Sequence, residues 1–133
     1  MKIDQSLLQI VIDHALRDAP NECCGMLAVR DGVAEKVYEL ENAQPSPFRF
    51  EIEPKVLRET YLAIDDAGAD MVIYHSHTRS DPVPSPTDVN FGVNWPGVEW
   101  LIVGTKGEVT VRSWLISPQG DVTEVPVEVT GGG

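Results

Sequence analysis

YHSHTRSDPVPSPTD, residues 74–88, holds two of the chain's three histidines, one residue apart. Before it, Met71-Val72-Ile73-Tyr74 is a short apolar, partly β-branched run of the kind that forms a buried strand. Side chains two apart on a strand point the same way, so His75 and His77 at its end can converge on one point. Asp88, eleven residues beyond His77, can close that point as a third ligand. Two imidazoles and one carboxylate leave a tetrahedral Zn²⁺ with one open position, which separates catalytic from structural zinc. Ser85-Pro86-Thr87-Asp88 also reads as a helix start, with Ser at the N-cap, Pro at the first helical position and an acid at N3. A capping box alone would account for Ser85 and Asp88, but it leaves His-x-His at a strand end unexplained. The two readings coexist, because a helix start is a rigid place from which to hold a ligand.

Around this stretch the chain reads as alternating helices and strands. Residues 5–19 carry Leu7, Leu8, Val11, Ile12, Ala15 and Leu16 as the stripe of an amphipathic helix, with His14 at its edge facing solvent and Pro20 at its end. Strands are expected at Gly25–Arg30 and Val33–Leu40, joined by the hairpin signal Asp31-Gly32. A Pro-broken loop follows over 42–47, then a half-buried strand at Phe48–Ile52. Pro54 opens a second helix that buries Val56, Leu57, Tyr61 and Ile64 and ends at Gly68. After the histidines, 78–84 is a stiff loop, and Asp81 within it competes with Asp88 as a ligand; Asp88 has the firmer backbone setting. A short helix near Pro86–Gly92 precedes strands at Val98–Gly104, Glu108–Ile116 and Val122–Val129. The fold class is therefore α/β, with a mixed, mostly antiparallel sheet and flanking helices. Trp95, Trp100 and Trp114 are expected in the core or on a groove wall.

The 133 residues suit one domain, taken as residues 1–129 with a flexible Gly-rich tail at 130–133. No apolar run approaches the roughly 20 residues of a membrane helix. The first residues lack a secretory signal, so the cytoplasm is the expected location. Ten Lys and Arg against 21 Asp and Glu give a net charge of −11, which repels phosphate backbones and argues against nucleic acid. Cys23 and Cys24 are adjacent, a spacing that suits neither a zinc pair nor a disulfide framework; one is expected inside and the other half exposed.

His75-Ser-His77, seven residues, Ser85, two residues and Asp88, with Glu22 upstream in Pro20-Asn-Glu-Cys-Cys-Gly-Met26, resembles the motif of the JAMM (MPN+) metallopeptidases. The likeness extends over nearly the whole chain. Thr78 after the second histidine and the short length resemble the bacterial Mec-type branch, whose members cut after the C-terminal glycine of small ubiquitin-like sulfur carriers. The resemblance implies the MPN fold, one zinc ion on His75, His77 and Asp88, Glu22 as proton carrier, and a ubiquitin-like sulfur-carrier protein as partner, with release of cysteine as one outcome. Nothing in the spacing brings residue 22 near residue 75; the resemblance alone does. Ser85 is assigned either helix capping or donation to the oxyanion, and Ser76 packing on the opposite side of the strand. Two other readings stand beside this one: a metallohydrolase of small amide or amino-acid conjugates, and a non-catalytic MPN binding module. The terminal Gly131-Gly132-Gly133 resembles a carrier tail, which raises docking of one copy's tail in another copy's site beside the plainer reading of a frayed end.

Overall fold

A computed structural model describes residues 1–131. In chain order the elements are β1 (Lys2–Asp4), α1 (Gln5–Asp18), β2 (Cys24–Arg30), β3 (Val33–Leu40), α2 (Pro54–Asp66), β4 (Asp70–His77), α3 (Pro86–Gly92), β5 (Glu99–Gly104), β6 (Thr110–Ile116), β7 (Val122–Val125) and β8 (Glu128–Thr130). Among the described residues the strands form one sheet in the order β7-β6-β5-β4-β2-β3-β1-β8. Most neighbours are antiparallel; β4–β5, β1–β3 and β1–β8 are parallel. The Asp31-Gly32 turn does what its residues predict: both take positive φ, 50° and 79°, as a two-residue hairpin of this hand requires.

The outermost strands β7 and β8 are separated in sequence by Pro126 and Val127 alone. Two residues span about 7 Å, whereas seven strand spacings laid flat would span about 34 Å. The sheet therefore curls until its edges approach each other. Each face carries its own core. On one side Cys23, Leu27, Val72, Tyr74, Leu101 and Val103 pack with Leu8, Val11 and Ala15 of α1. On the other Met26, Ile73, Trp100, Ile102 and Trp114 pack with Ile64 of α2 and with Val89 and Phe91 of α3. β4 lies between the two cores and is buried along nearly its whole length, which is why its sequence is a continuous apolar run. Alternation sends Ile73, His75 and His77 to the α2/α3 side and Tyr74 and Ser76 to the α1 side.

Several expectations are corrected. Phe48–Ile52 is not a strand. Several of its backbone groups are turned to other partners: the buried Asn42 side chain accepts from Glu51 N (3.0 Å) and donates to Arg49 O (3.2 Å), Glu51 O accepts the Ala43 N–H (2.8 Å), and the Phe48 N–H donates to Ser46 Oγ (3.1 Å). The expected strand Val122–Val129 is two strands on opposite edges, broken at Pro126, which has no N–H to offer a ladder. β1, three residues long, is too short to leave a periodic signal, and β8 runs to Thr130. In α2, Val56 and Tyr61 are largely exposed, and Thr60 and Ile64 are the buried positions.

His14 is buried rather than on the surface, while Leu16 is 51% exposed: the inward stripe of α1 runs through residues 8, 11, 14 and 15. The imidazole is accepted inside because Nδ1 lies 2.7 Å from the Tyr74 hydroxyl and Nε2 lies 3.3 Å from Asp18. Cys23 and Cys24 are both fully buried, one in each core, since consecutive strand positions face opposite ways. Burial pushes both thiols up to about 12, which makes them packing residues and not nucleophiles. Of the Gly131–Gly133 tail, residues 132 and 133 lie outside the described residues, and with them the tail-docking idea. No described helix is long and apolar enough to cross a membrane.

Candidate metal centre

The C-terminal end of β4 presents His75 and His77 on one side, both buried. α3 then places a carboxylate against them. Ser85 is its N-cap: the Ser85 hydroxyl accepts the Asp88 N–H (3.1 Å), and the Ser85 N–H donates back to Asp88 Oδ2 (2.9 Å). This capping box fixes the Asp88 side chain on the first turn. Asp88 Oδ2 stands 3.0 Å from His75 Nε2 and 3.0 Å from His77 Nε2, and the two nitrogens are 3.2 Å apart. Ligand atoms about 2.0–2.1 Å from a tetrahedral ion are about 3.3 Å from one another, so the triangle is close to the size such an ion needs.

Surrounding groups hold the triangle in place. His77 Nδ1–H donates to the Asp81 carbonyl (2.8 Å), which leaves the Nε2 lone pair facing the cluster. Phe50 stacks on His75 with ring centroids 4.5 Å apart. The loop after His77 is pinned by Trp114 Nε1, which donates to Pro82 O (2.9 Å). Asp81 thus contributes its backbone, while its carboxylate points to solvent beside Lys106. Of the two competing acids, Asp88 is the one brought to the histidines.

Glu22 reaches the same place from the other side of β4. It lies just before β2, which is antiparallel to β4, and three bonds steer its segment. Cys23 N–H donates to Ser76 Oγ (2.8 Å), Glu22 N–H to Ser46 O (2.8 Å), and Asn42 Nδ2 to Glu22 O (3.0 Å). Thr78 Oγ1 adds a fourth tie by donating to Pro20 O (2.8 Å). Glu22 is 4% exposed, its Oε1 has no hydrogen-bond partner among the described residues, and its ligand atom lies within 4.8 Å of those of both histidines. Residue spacing carries no trace of Asn42, Phe50 or Trp114 as supports of this site. The only local hint is an Asn opening a Pro-rich loop, a common turn residue.

The electrostatics separate the two carboxylates. Burial lifts Glu22 to about 8, only partly opposed by His77 and reinforced by Asp88. Burial would lift Asp88 too, but His75, His77 and the Ser85 N–H outweigh it and hold Asp88 far below the usual carboxylate range. Burial alone would depress His77; its bonds to Asp88 and Asp81 O reverse the sign and raise it. The surroundings therefore favour the charged form of Asp88 and the protonated form of Glu22. The buried Glu22–His75–His77 group, with Asp88 against it, has the donor types and size to hold a metal ion.

Comparison with known proteins agrees with this geometry. Residues 4–117 match the family described as prokaryotic homologs of the JAB domain. The chain is 35% identical over 132 residues to the CysO-cysteine peptidase of Mycobacterium tuberculosis, covering 96% of this chain and 89% of that one. It is 38% identical over 114 residues to the desampylase of Haloferax volcanii, covering 82% and 81%. Among solved structures, protein DSY2949 from Desulfitobacterium hafniense superposes with a TM-score of 0.81 at 28% identity, over 97% of this chain and 92% of that one. The chain belongs to the prokaryotic JAB-domain family, carries the JAMM motif across its sheet, and is a hydrolase of the metallopeptidase class.

Proposed function

We propose that this chain is a peptidase with one zinc ion, held by His75, His77 and Asp88, that hydrolyses the amide after the C-terminal glycine of a ubiquitin-like sulfur-carrier protein and releases a small amine such as cysteine. The observation that carries the reading is the convergence of His75 Nε2, His77 Nε2 and Asp88 Oδ2 beside a buried glutamate with a free oxygen. Two imidazoles and a carboxylate suit Zn²⁺ by ligand preference. The relatives named for CysO-cysteine and for desampylation support a carrier-type substrate. Bound there, zinc supplies Lewis acidity towards the scissile carbonyl and lowers the pKa of water to about 7.

The chain's own residues do the rest. Glu22, buried beside both histidines, takes a proton from the attacking water as a carboxylate and hands it to the departing amine, the two transfers amide hydrolysis needs. Ser85 performs both duties open to it. Its oxygen accepts the Asp88 N–H, and its hydrogen stays free to donate to the carbonyl oxygen as charge gathers there. A donor so placed typically contributes about 2.7–4 kcal/mol of transition-state stabilisation. A Gly-Gly tail suits such a cleft because it has no side chains to exclude.

The test offers a carrier–cysteine conjugate and a short Gly-Gly-Cys peptide to chelated and zinc-reloaded protein. Cleavage of the conjugate only after reloading, and faster than of the peptide, is expected. Equal rates on both would favour a hydrolase of small conjugates. An inert zinc-loaded protein would favour a binding module and sink the proposal.

A further inference from the structure

Glu22 returns its proton to the departing amine, so the leaving group lies on the Glu22 side of the cleft. Beside the contact between Thr78 and Pro20, the surface holds a depression of about 600 Å³ lined by Ala19, Pro20, Thr78, Arg79, Thr105 and Lys106. Pro20 is two residues before Glu22 and Thr78 is the residue after His77, and Thr78 Oγ1 ties the two strands together at this point. The depression is thus bordered by the segments that lead into Glu22 and out of His77. In a chain with 21 acids and only ten Lys and Arg, two cations on one small surface are out of proportion to its charge.

The two are not equivalent. Lys106 Nζ is 3.5 Å from Asp81 Oδ1 and so already faces a carboxylate. The Arg79 guanidinium lies over the exposed ring of Phe48, 5.6 Å from its centroid. Phe48 is fixed in turn: Pro47 O is 3.4 Å from Thr78 Oγ1, Phe48 N–H donates to Ser46 Oγ (3.1 Å), and Phe50 stacks on His75. A guanidinium held over an aromatic ring is steadied there and still has N–H donors with which to grip a carboxylate in a two-point fork.

An amino acid joined through its α-amine to a carrier glycine has a carboxylate two bonds from the scissile nitrogen. A lysine ε-amine in a protein conjugate has none there. Building on the proposed peptidase activity, we propose that Arg79, stacked on Phe48, binds the free α-carboxylate of the leaving amino acid and makes the site select amino-acid release over cleavage of protein isopeptide bonds.

The experiment compares kcat/KM for a carrier protein ending Gly-Gly-Cys as the free acid with the same carrier ending Gly-Gly-Cys-amide, using zinc-loaded wild type, Arg79→Met and Lys106→Met. Arg79 is exposed, so the variant is expected to fold. The wild type should prefer the free acid by about tenfold, the size of one charge-assisted contact. Arg79→Met should lose that preference by slowing the acid and not the amide, while Lys106→Met keeps it. Three results would overturn the inference alone: wild-type rates equal on acid and amide, Arg79→Met slowing both alike, or Lys106→Met erasing the preference equally well. Failure of the wild type to cut either substrate would overturn the proposed peptidase together with it.

Discussion

Cys24 lies directly opposite His75 in the antiparallel ladder between β2 and β4. Continuing that register past the end of β2 sets Cys23 against Ser76, where the Cys23 N–H meets Ser76 Oγ and the Ser76 N–H meets Cys23 O, and then Glu22 against His77. Strand pairing thus brings a residue 53 positions away in sequence from His75 into the same buried cluster. A slip of one residue would turn Glu22 to the other face and dissolve the site.

Because Glu22 is the proton carrier and not a ligand in this scheme, Glu22→Gln should remove activity without removing the ion. Positioned acid–base groups contribute about 100-fold or more. Turnover of a carrier conjugate should fall by at least that factor, while elemental analysis still finds stoichiometric zinc. Full turnover in the variant would take Glu22 out of the mechanism; loss of zinc would make it a ligand.

Zinc should stabilise the fold through the β4–α3 junction. A ligand that binds only the folded state adds about 2.7 kcal/mol at a hundred times its Kd, or about 10 °C in Tm for a chain of this length. Calorimetry should show that rise in the wild type and none in His77→Ala. A shift of the same size in the variant would place the ion elsewhere.

His14, on α1 and bonded to Tyr74 of β4, predicts a pH dependence of stability. Burial depresses it below its ordinary value of about 6.5; Asp18 and Glu39 oppose the shift and Arg17 adds to it. Between the two values the unfolded chain binds the extra proton, so this contribution is full above about pH 6.5 and is lost as pH falls from there to the lower folded value. Urea unfolding of His14→Gln between pH 5 and 7 should show a shallower loss of stability towards acid than the wild type. Parallel curves would mean that His14 does not titrate in this range.

Local chemistry carried much of this molecule on its surface. His-x-His at the end of an apolar run, and Ser-Pro-Thr-Asp at a helix start, declare their geometry because strand period and capping are fixed by neighbouring residues. The same holds for the Asp31-Gly32 hairpin and the three helices. Errors arose where distant groups decide. The alternation of Phe48–Ile52 resembles a strand, yet Asn42, several residues away, holds Arg49 O and the Glu51 N–H. His14 looked solvated until Tyr74 of β4 offered it a partner beneath α1.

Read alone, the chain pointed to His75, His77 and Asp88 as a donor set, and it gave away the helix that carries Asp88 and the strand that carries the histidines, since those two elements depend on contacts within a few residues. Only the tertiary structure decided that Glu22 joins them, that Asp81 contributes its carbonyl and not its carboxylate, and that β7 and β8 close the sheet from opposite edges. These are matters of register and curl, set by pairing between segments far apart in the chain, and no local pattern encodes which backbone will lie alongside.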